Sequence, residues 1–486
     1  MRLSRLFKGL TGATAVATAL TTFALIGPAN AIDPYYPQFG NTGYDAIHYD
    51  LRLDVAVPPG STTRAVAADC TMSAVATARL TEFSLDLAGL TVASVKVNGL
   101  SAAFAQNGAK LLVTPRRPIA EGQNFLVRVR YGGQPGNDGD GGGWTNTTDG
   151  GILIGDPFVA AYLLPVNDDP ADKALFRTSI TVPAGLTGVS NGVLRGVRQL
   201  PDGRSTWSWA ETRPMVMHNI VLSVGVFEMI SSRTKSGIKL WSFIDPSLPA
   251  SQIAWARYAA AHMSDYLSFL ESKFGRYPFP TSGMVVDNAY LGYAMEAQER
   301  PFYDPRWFRG DPTYVFIHEL AHQWFAASVS PATYADTWLN EGFATYAEFL
   351  YGEFERKDGL GTWPDFDYYW SRTPENFPHG ARSTAQQEYD NLWNPIVANP
   401  GADPSLLFSN AVYTRGAMTL HLLRETMGAA SFMQLLKDWP AAHRYGIATT
   451  AQFEAFAHSR SVRDLSALFR DWLHTSGKPT RTDYSH

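Results

Sequence analysis

His318-Glu319-Leu320-Ala321-His322 sets two imidazoles four residues apart with a carboxylate between them, and Glu341 follows after 18 further residues. On a helix, residues i and i+4 lie one above the other, so His318 and His322 can both reach one tetrahedral cation. Glu319 is rotated about 100° from His318 and makes a poor third ligand beside its neighbour. It can instead reach a water at an open fourth position and take its proton. With Glu341 as third ligand, the set of two imidazoles and one carboxylate suits one Zn2+ per chain. Packed as mere core side chains, the same histidines would leave ring nitrogens unsatisfied beside a charged Glu319. The pattern therefore predicts metal-assisted hydrolysis and does not by itself say whether the substrate is cut inside or at its end.

These residues need helices to hold them. Asp311-Pro312 supplies an N-cap and a first-turn proline for the helix carrying His318 and His322, and Pro331 is expected to end that helix or its following turn. A helix over residues 338–353 carries Glu341 in its first turn, and another over 411–427 carries Tyr413 and Arg415. Upstream, residues 253–274 show apolar side chains at three- and four-residue spacing, and residues 284–295 read as a strand or strand pair.

From Tyr44 to about Ile230 the period changes to two. Strands are predicted over 48–55, 83–87, 92–97 (ended by Asn98-Gly99), 111–114 and 125–131. Pro201-Asp202-Gly203 marks a hairpin between strands at 193–197 and 206–209, and the β region closes near Val224-Gly225-Val226-Phe227. The Gly/Asp/Asn-rich stretch from Gly132 to Gly151 superficially resembles a calcium-binding repeat. Such repeats act in stacked copies and one copy is present, so a surface loop is expected. His218, His262 and His421 lack ligand spacing to a partner and are expected in or near cores.

The chain of 486 residues is too long for one ordinary core, so two domains are expected: an N-terminal β domain over 32–233 and a second domain over 234–486. Hydrophobic content of 45% and a net charge of −5 argue against disorder, and no basic run offers a surface for nucleic acid. Arg2, Arg5 and Lys8 precede an apolar run to Gly27, and Ala29-Asn30-Ala31 is a small-x-small cleavage site. A signal peptide over 1–31, a secreted mature chain beginning at Ile32 and no membrane insertion after cleavage are expected. The single cysteine, Cys70, rules out an internal disulfide.

With these motifs in place, the chain resembles the aminopeptidase N family of zinc metallopeptidases, the gluzincins, as a short two-domain member. Asn340-Glu341-Gly342-Phe343-Ala344 matches the family segment whose Glu is the third zinc ligand. Tyr293-Ala294-Met295-Glu296-Ala297 matches its Gly-Ala-Met-Glu-Asn segment, with Tyr293 and Ala297 replacing the flanking residues. The resemblance implies that Glu296 binds the substrate's free amino group, with Ala294 and Met295 lining the same site. Gly155-Asp156-Pro157, ahead of Leu164-Pro165-Val166-Asn167-Asp168-Asp169-Pro170, stands where the family carries Gln-x-Glu, which makes Asp156 a candidate second amine ligand on a shorter side chain. Val412-Tyr413-Thr414-Arg415-Gly416 matches the Tyr-x-Lys-Gly segment and implies that Tyr413 donates to the oxyanion.

The resemblance implies an α+β multidomain fold: an antiparallel β-sandwich-like domain, then a thermolysin-like, mainly helical catalytic domain. It implies a monomeric aminopeptidase acting on peptides with a free N-terminus, with Glu319 as general base. An endopeptidase of the thermolysin kind and an exported peptide-binding protein with a vestigial zinc site are the rival readings.

Overall fold

The structure is a computed structural model that describes residues 33–58, 64–139, 142–401, 403–480 and 482–484. The predicted leader and its cleavage point lie outside the described residues. An eight-stranded sheet dominates the first unit, in the order Val193–Gln199, Ser205–Met215, Ala174–Val182, Tyr44–Ala56, Ala65–Ala76, Asn124–Gly133, Thr91–Val97, Leu100–Ser101. It is antiparallel except where Tyr44–Ala56 runs parallel to Ala174–Val182. Alternation along Tyr44–Ala56 changes phase: Tyr44 and Ala46 are buried, then Tyr49, Leu51, Leu53 and Val55. An irregularity in pairing between Ala46 and His48 adds the residue that switches the buried parity.

A three-stranded sheet of Phe83–Asp86, Lys110–Thr114 and Ala103–Asn107 shares the large sheet's core through Phe83, Leu85, Leu111 and Val113. A further sheet is ordered Thr187–Ser190, Leu222–Gly225, Gly151–Ile154, Gly143–Asn146. The last of these strands corrects the reading of residues 132–151 as a surface loop. Gly143–Asn146 pairs with Gly151–Ile154 and buries Trp144 to 2% exposure, so the indole anchors a segment whose composition alone reads as loop.

The second unit opens on a five-stranded sheet: Glu228–Arg233, Lys239–Ile244, Thr281–Val286, Phe302–Tyr303, Ala294–Met295. The chain changes sheets between Gly225 and Glu228, so residues 228–233, placed in the β domain by sequence, pair within the second unit's sheet. Helices Ala250–Phe274, Thr313–Ala321, Trp338–Arg356, Gly416–Met427, Ala429–Ala442, Thr450–His458 and Ser466–Leu473 enclose its core. A separate apolar cluster of Ile152, Ile154, Val189, Trp209, Trp241, Phe243, Val285 and Phe302 joins the two units. No helix among the described residues is long and apolar enough to cross a membrane.

Candidate active site

The helix Thr313–Ala321 begins where Asp311 Oδ1 accepts the Thr313 amide at 2.9 Å, one residue later than expected, with Pro312 just outside. It also ends early. His322 is its C-cap, still in helical geometry at φ −58°, ψ −19°, with its amide donating to the His318 carbonyl at 3.3 Å. The four-residue stack of the two histidines therefore survives. Pro331 lies beyond the helix itself and directly after the turn that follows it, the second of the two places expected from the sequence. Amides of Ala327 and Val329 donate back to the His322 and Trp324 carbonyls, and Ser330–Pro331 then pairs with Ile447–Ala448.

Glu341 sits in the first turn of Trp338–Arg356, and its Oε2 lies 3.2 Å from His318 Nε2 and 3.3 Å from His322 Nε2. Each imidazole is held through its other nitrogen. His318 Nδ1 is 2.7 Å from Glu348 Oε1, and His322 Nδ1 is 3.0 Å from the Phe325 carbonyl oxygen. Both partners accept, which fixes a proton on each Nδ1 and leaves Nε2 as the nitrogen that faces Glu341 and would ligate a metal once unprotonated. Donor atoms of His318, His322 and Glu341 all lie within 4.8 Å of one another. Two such oriented imidazoles and one carboxylate fit a tetrahedral zinc with one position open.

Burial pushes the Glu341 carboxyl up, but the charges and hydrogen bonds of His322 and His318 bring it down to about 2. Glu319, 6% exposed, goes the other way: burial lifts it to about 8 against the pull of both histidines, with Glu296 and Glu341 adding to the rise. A carboxylate with raised proton affinity beside the cation position is suited to accept a proton from water.

Glu296, Glu319 and His322 also offer atoms within 4.8 Å of one another, so Glu296 borders the same space. It follows the edge strand Ala294–Met295, which is anchored to Phe302–Tyr303. The Met295 side chain is 4% exposed and packs into the cluster between the two units, while Ala294 is half-buried. Gln323, next to His322, fixes the segment after Glu296: its Nε2 donates to the Glu296 carbonyl at 3.2 Å and its Oε1 accepts the Glu299 amide at 2.7 Å.

Asp156 reaches this space from the first unit. Burial raises its carboxyl well above the usual range, and the facing charge of Glu296 raises it further. Tyr334 Oη lies 3.1 Å from Asp156 Oδ1, 2.8 Å from the Pro157 carbonyl and 3.3 Å from His218 Nδ1. His218 is 3% exposed and burial lowers it to about 3, so its neutral ring can donate to Tyr334. The sequence reading assigned His218 nothing. Tyr413, half-buried, stacks at 6.0 Å and 13° on the His318 ring, and burial together with Glu341, Glu296 and Glu319 keeps its phenol protonated far above neutrality. It lies in a π-helical turn, Ala411–Arg415, where a regular helix was expected. Arg415 points away, donating to the Trp393, Asp471 and Thr475 carbonyls.

Sequence reasoning missed Glu348, Gln323, Tyr334 and His218. Glu348 had a signal, lying seven residues after Glu341 and hence on the same helix face. Gln323, Tyr334 and His218 had none, since their roles depend on which segments fold together.

Two family models match the chain: the Peptidase M1 N-terminal domain over residues 45–216 and the Peptidase family M1 domain over 258–472. The chain belongs to peptidase family M1. Aminopeptidase M1 of Arabidopsis thaliana is 26% identical over 67% of the chain and 36% of that relative. Probable aminopeptidase 2 of Sulfurisphaera tokodaii is 24% identical over 82% of the chain and 50% of that relative. The chain thus spans half or less of the length of these two curated relatives. An M1 zinc metallopeptidase from Deinococcus radiodurans matches in length as well: its crystal structure superposes with a TM-score of 0.80 at 27% identity, covering 93% of this chain and 99% of that one. A mutant of the same metallopeptidase has been solved bound to a Tyr-Ser-Ala substrate. The two family M1 models fall on the two units described above, with the metal-ligand helices inside the second.

Proposed function

We propose that this M1 chain is a secreted, zinc-dependent aminopeptidase that removes N-terminal residues from peptides. The observation that carries the reading is the placement of Glu296 within 4.8 Å of donor atoms of Glu319 and His322, with Asp156 near enough to feel the charges of Glu296, Glu341 and His322. Glu296 is buried and its charge raises the proton affinity of the half-buried Asp156, and a substrate ammonium between the two carboxylates would relieve that repulsion. That anchor sets how far a peptide can enter and selects its first peptide bond.

His318, His322 and Glu341 would hold the zinc, which when bound supplies Lewis acidity toward the scissile carbonyl and lowers the pKa of water. Glu319 accepts the proton of the attacking water and passes it to the leaving amine. Tyr413 donates its phenolic hydrogen bond to the developing oxyanion without ionising. Tyr334, braced by His218, holds Asp156 against the ammonium, and Gln323 holds the backbone behind Glu296. Every one of these groups comes from one chain, so a monomer suffices.

Glu296→Ala tests the anchor. We expect turnover of free-amine peptides to fall by about 100-fold or more, with any cleavage of N-acetylated peptides little changed. Equal loss on both would leave an endopeptidase as the better description. Export is tested by N-terminal sequencing of protein recovered from culture medium, with Ile32 expected as first residue.

A further inference from the structure

Asp245 and Asp287 stand side by side at the carboxyl ends of two adjacent parallel strands. Lys239–Ile244 and Thr281–Val286 pair in register, Ile244 opposite Val286, and each strand ends one residue before an aspartate. Carboxyl ends of parallel strands are where open sheets bind ligands. A third aspartate, Asp149, arrives from the first unit, in the turn joining Gly143–Asn146 to Gly151–Ile154. One carboxylate oxygen from each of the three lies within 4.8 Å of the other two.

Asp149 is half-buried and the other two lie deep. Asp245 is 1% exposed and Asp287 fully buried. Ser223, from the first unit, donates its hydroxyl to Asp287 Oδ2 at 2.8 Å. Asp149 Oδ2 accepts the Val226 amide at 2.7 Å, and Asp245 Oδ1 accepts the Ser247 amide at 2.6 Å. Asp287 Oδ1 accepts the Asn288 amide at 2.7 Å and Asp149 Oδ1 the Thr147 hydroxyl at 3.3 Å, which leaves Asp245 Oδ2, buried, as the one oxygen of the six with no hydrogen-bond donor. Burial, together with the charges of Asp245 and Asp149, raises Asp287 to about 7. No basic side chain forms an ion pair with any of the three among the described residues. A buried, donor-less carboxylate oxygen in a group of like charges is an arrangement that a bound cation would stabilise.

We infer that Asp149, Asp245 and Asp287 form a calcium site that bridges the two units, separate from the zinc ligands. The donors are all hard oxygens, carried on three different segments and supplemented by the Ser223 hydroxyl, which suits the irregular, high coordination of Ca2+ better than the strict octahedron of Mg2+ or the nitrogen and sulfur preference of zinc. The site adjoins the apolar cluster between the units: Val285 and Phe243 precede Asp287 and Asp245 by two residues. Val285 also pairs with Phe302, whose other neighbour is Met295, next to Glu296. A cation here would tie the first unit to the strand system that carries Glu296. The site itself does not depend on the proposed aminopeptidase reading.

The test is calcium titration of the zinc-loaded, calcium-free protein, followed by calorimetry and by thermal unfolding. The expected result is saturable binding of one Ca2+ per chain, with the thermal midpoint raised by several degrees in millimolar calcium. Asp245→Asn with Asp287→Asn should abolish both responses while the zinc content stays at one per chain, and Asp149→Asn alone should weaken calcium binding at least 10-fold. Absence of calcium binding by the folded wild-type protein, binding undiminished in these variants, or a stronger response to Mg2+ than to Ca2+ would overturn the assignment.

Discussion

Gly342 and Gly416 meet where helix Trp338–Arg356 crosses helix Gly416–Met427, so closely that a Cβ on Gly416 would sit 3.0 Å from the Gly342 Cα. Glu341 immediately precedes the first glycine, and Tyr413 lies three residues before the second. The contact therefore sets the distance between the third metal ligand and the phenol. Gly416→Ala should cost about 1–3 kcal/mol through overpacking, because the atom it meets is backbone and cannot swing aside. Denaturant unfolding measures that cost. Turnover should fall more than KM rises if the contact positions Tyr413, and a loss in KM alone would refute that role.

Glu319→Gln should keep its metal and lose turnover by about 100- to 10,000-fold, because the amide cannot accept the proton of water. Zinc content by elemental analysis and peptide hydrolysis on the same sample check the two halves. Full metal with unchanged turnover would remove Glu319 from the mechanism.

Glu348→Ala removes the acceptor that holds His318 Nδ1 at 2.7 Å. Freed of its orienting partner, the ring should bind metal about 10- to 100-fold more weakly. Competition with a zinc chelator measures the change, and Glu348→Gln should recover part of it because the amide oxygen can still accept.

Acid should destabilise the fold through His218. Burial lowers this group from 6.5 to about 3, with Lys173 adding a smaller push in the same direction, and Tyr334 faces its Nδ1. Its contribution is fully present above the unfolded value of about 6.5 and is lost as pH falls toward 3, because the unfolded chain takes up the proton first. Unfolding free energy measured between pH 7 and pH 4 should drop more steeply in the wild type than in His218→Gln. Parallel curves would show that His218 does not titrate this way.

Much of this protein was written along the chain. Metal ligands four residues apart on a helix, a third ligand in the first turn of the next and a two-residue period through the β unit are local patterns, and local patterns survive into the fold. Where the sequence reading missed, the decisive contact came from a distant segment. Trp144 turned a Gly/Asp-rich stretch into a strand by finding a core, and Ser330–Pro331 pairs with Ile447–Ala448 from far along the chain. His218, Tyr334 and Asp156 are separated by 116 and 178 residues and share one hydrogen-bonded cluster. Glu296 and Asp156 come from different units, and nothing in either segment states that their charges will face each other. By itself the sequence determined which residues are candidates to hold the metal and to take a proton from water, because those patterns depend on spacing within single elements. Only the tertiary structure decided what surrounds them, because burial, repulsion between carboxylates and the approach of two helices at a pair of glycines exist only once distant segments are packed together.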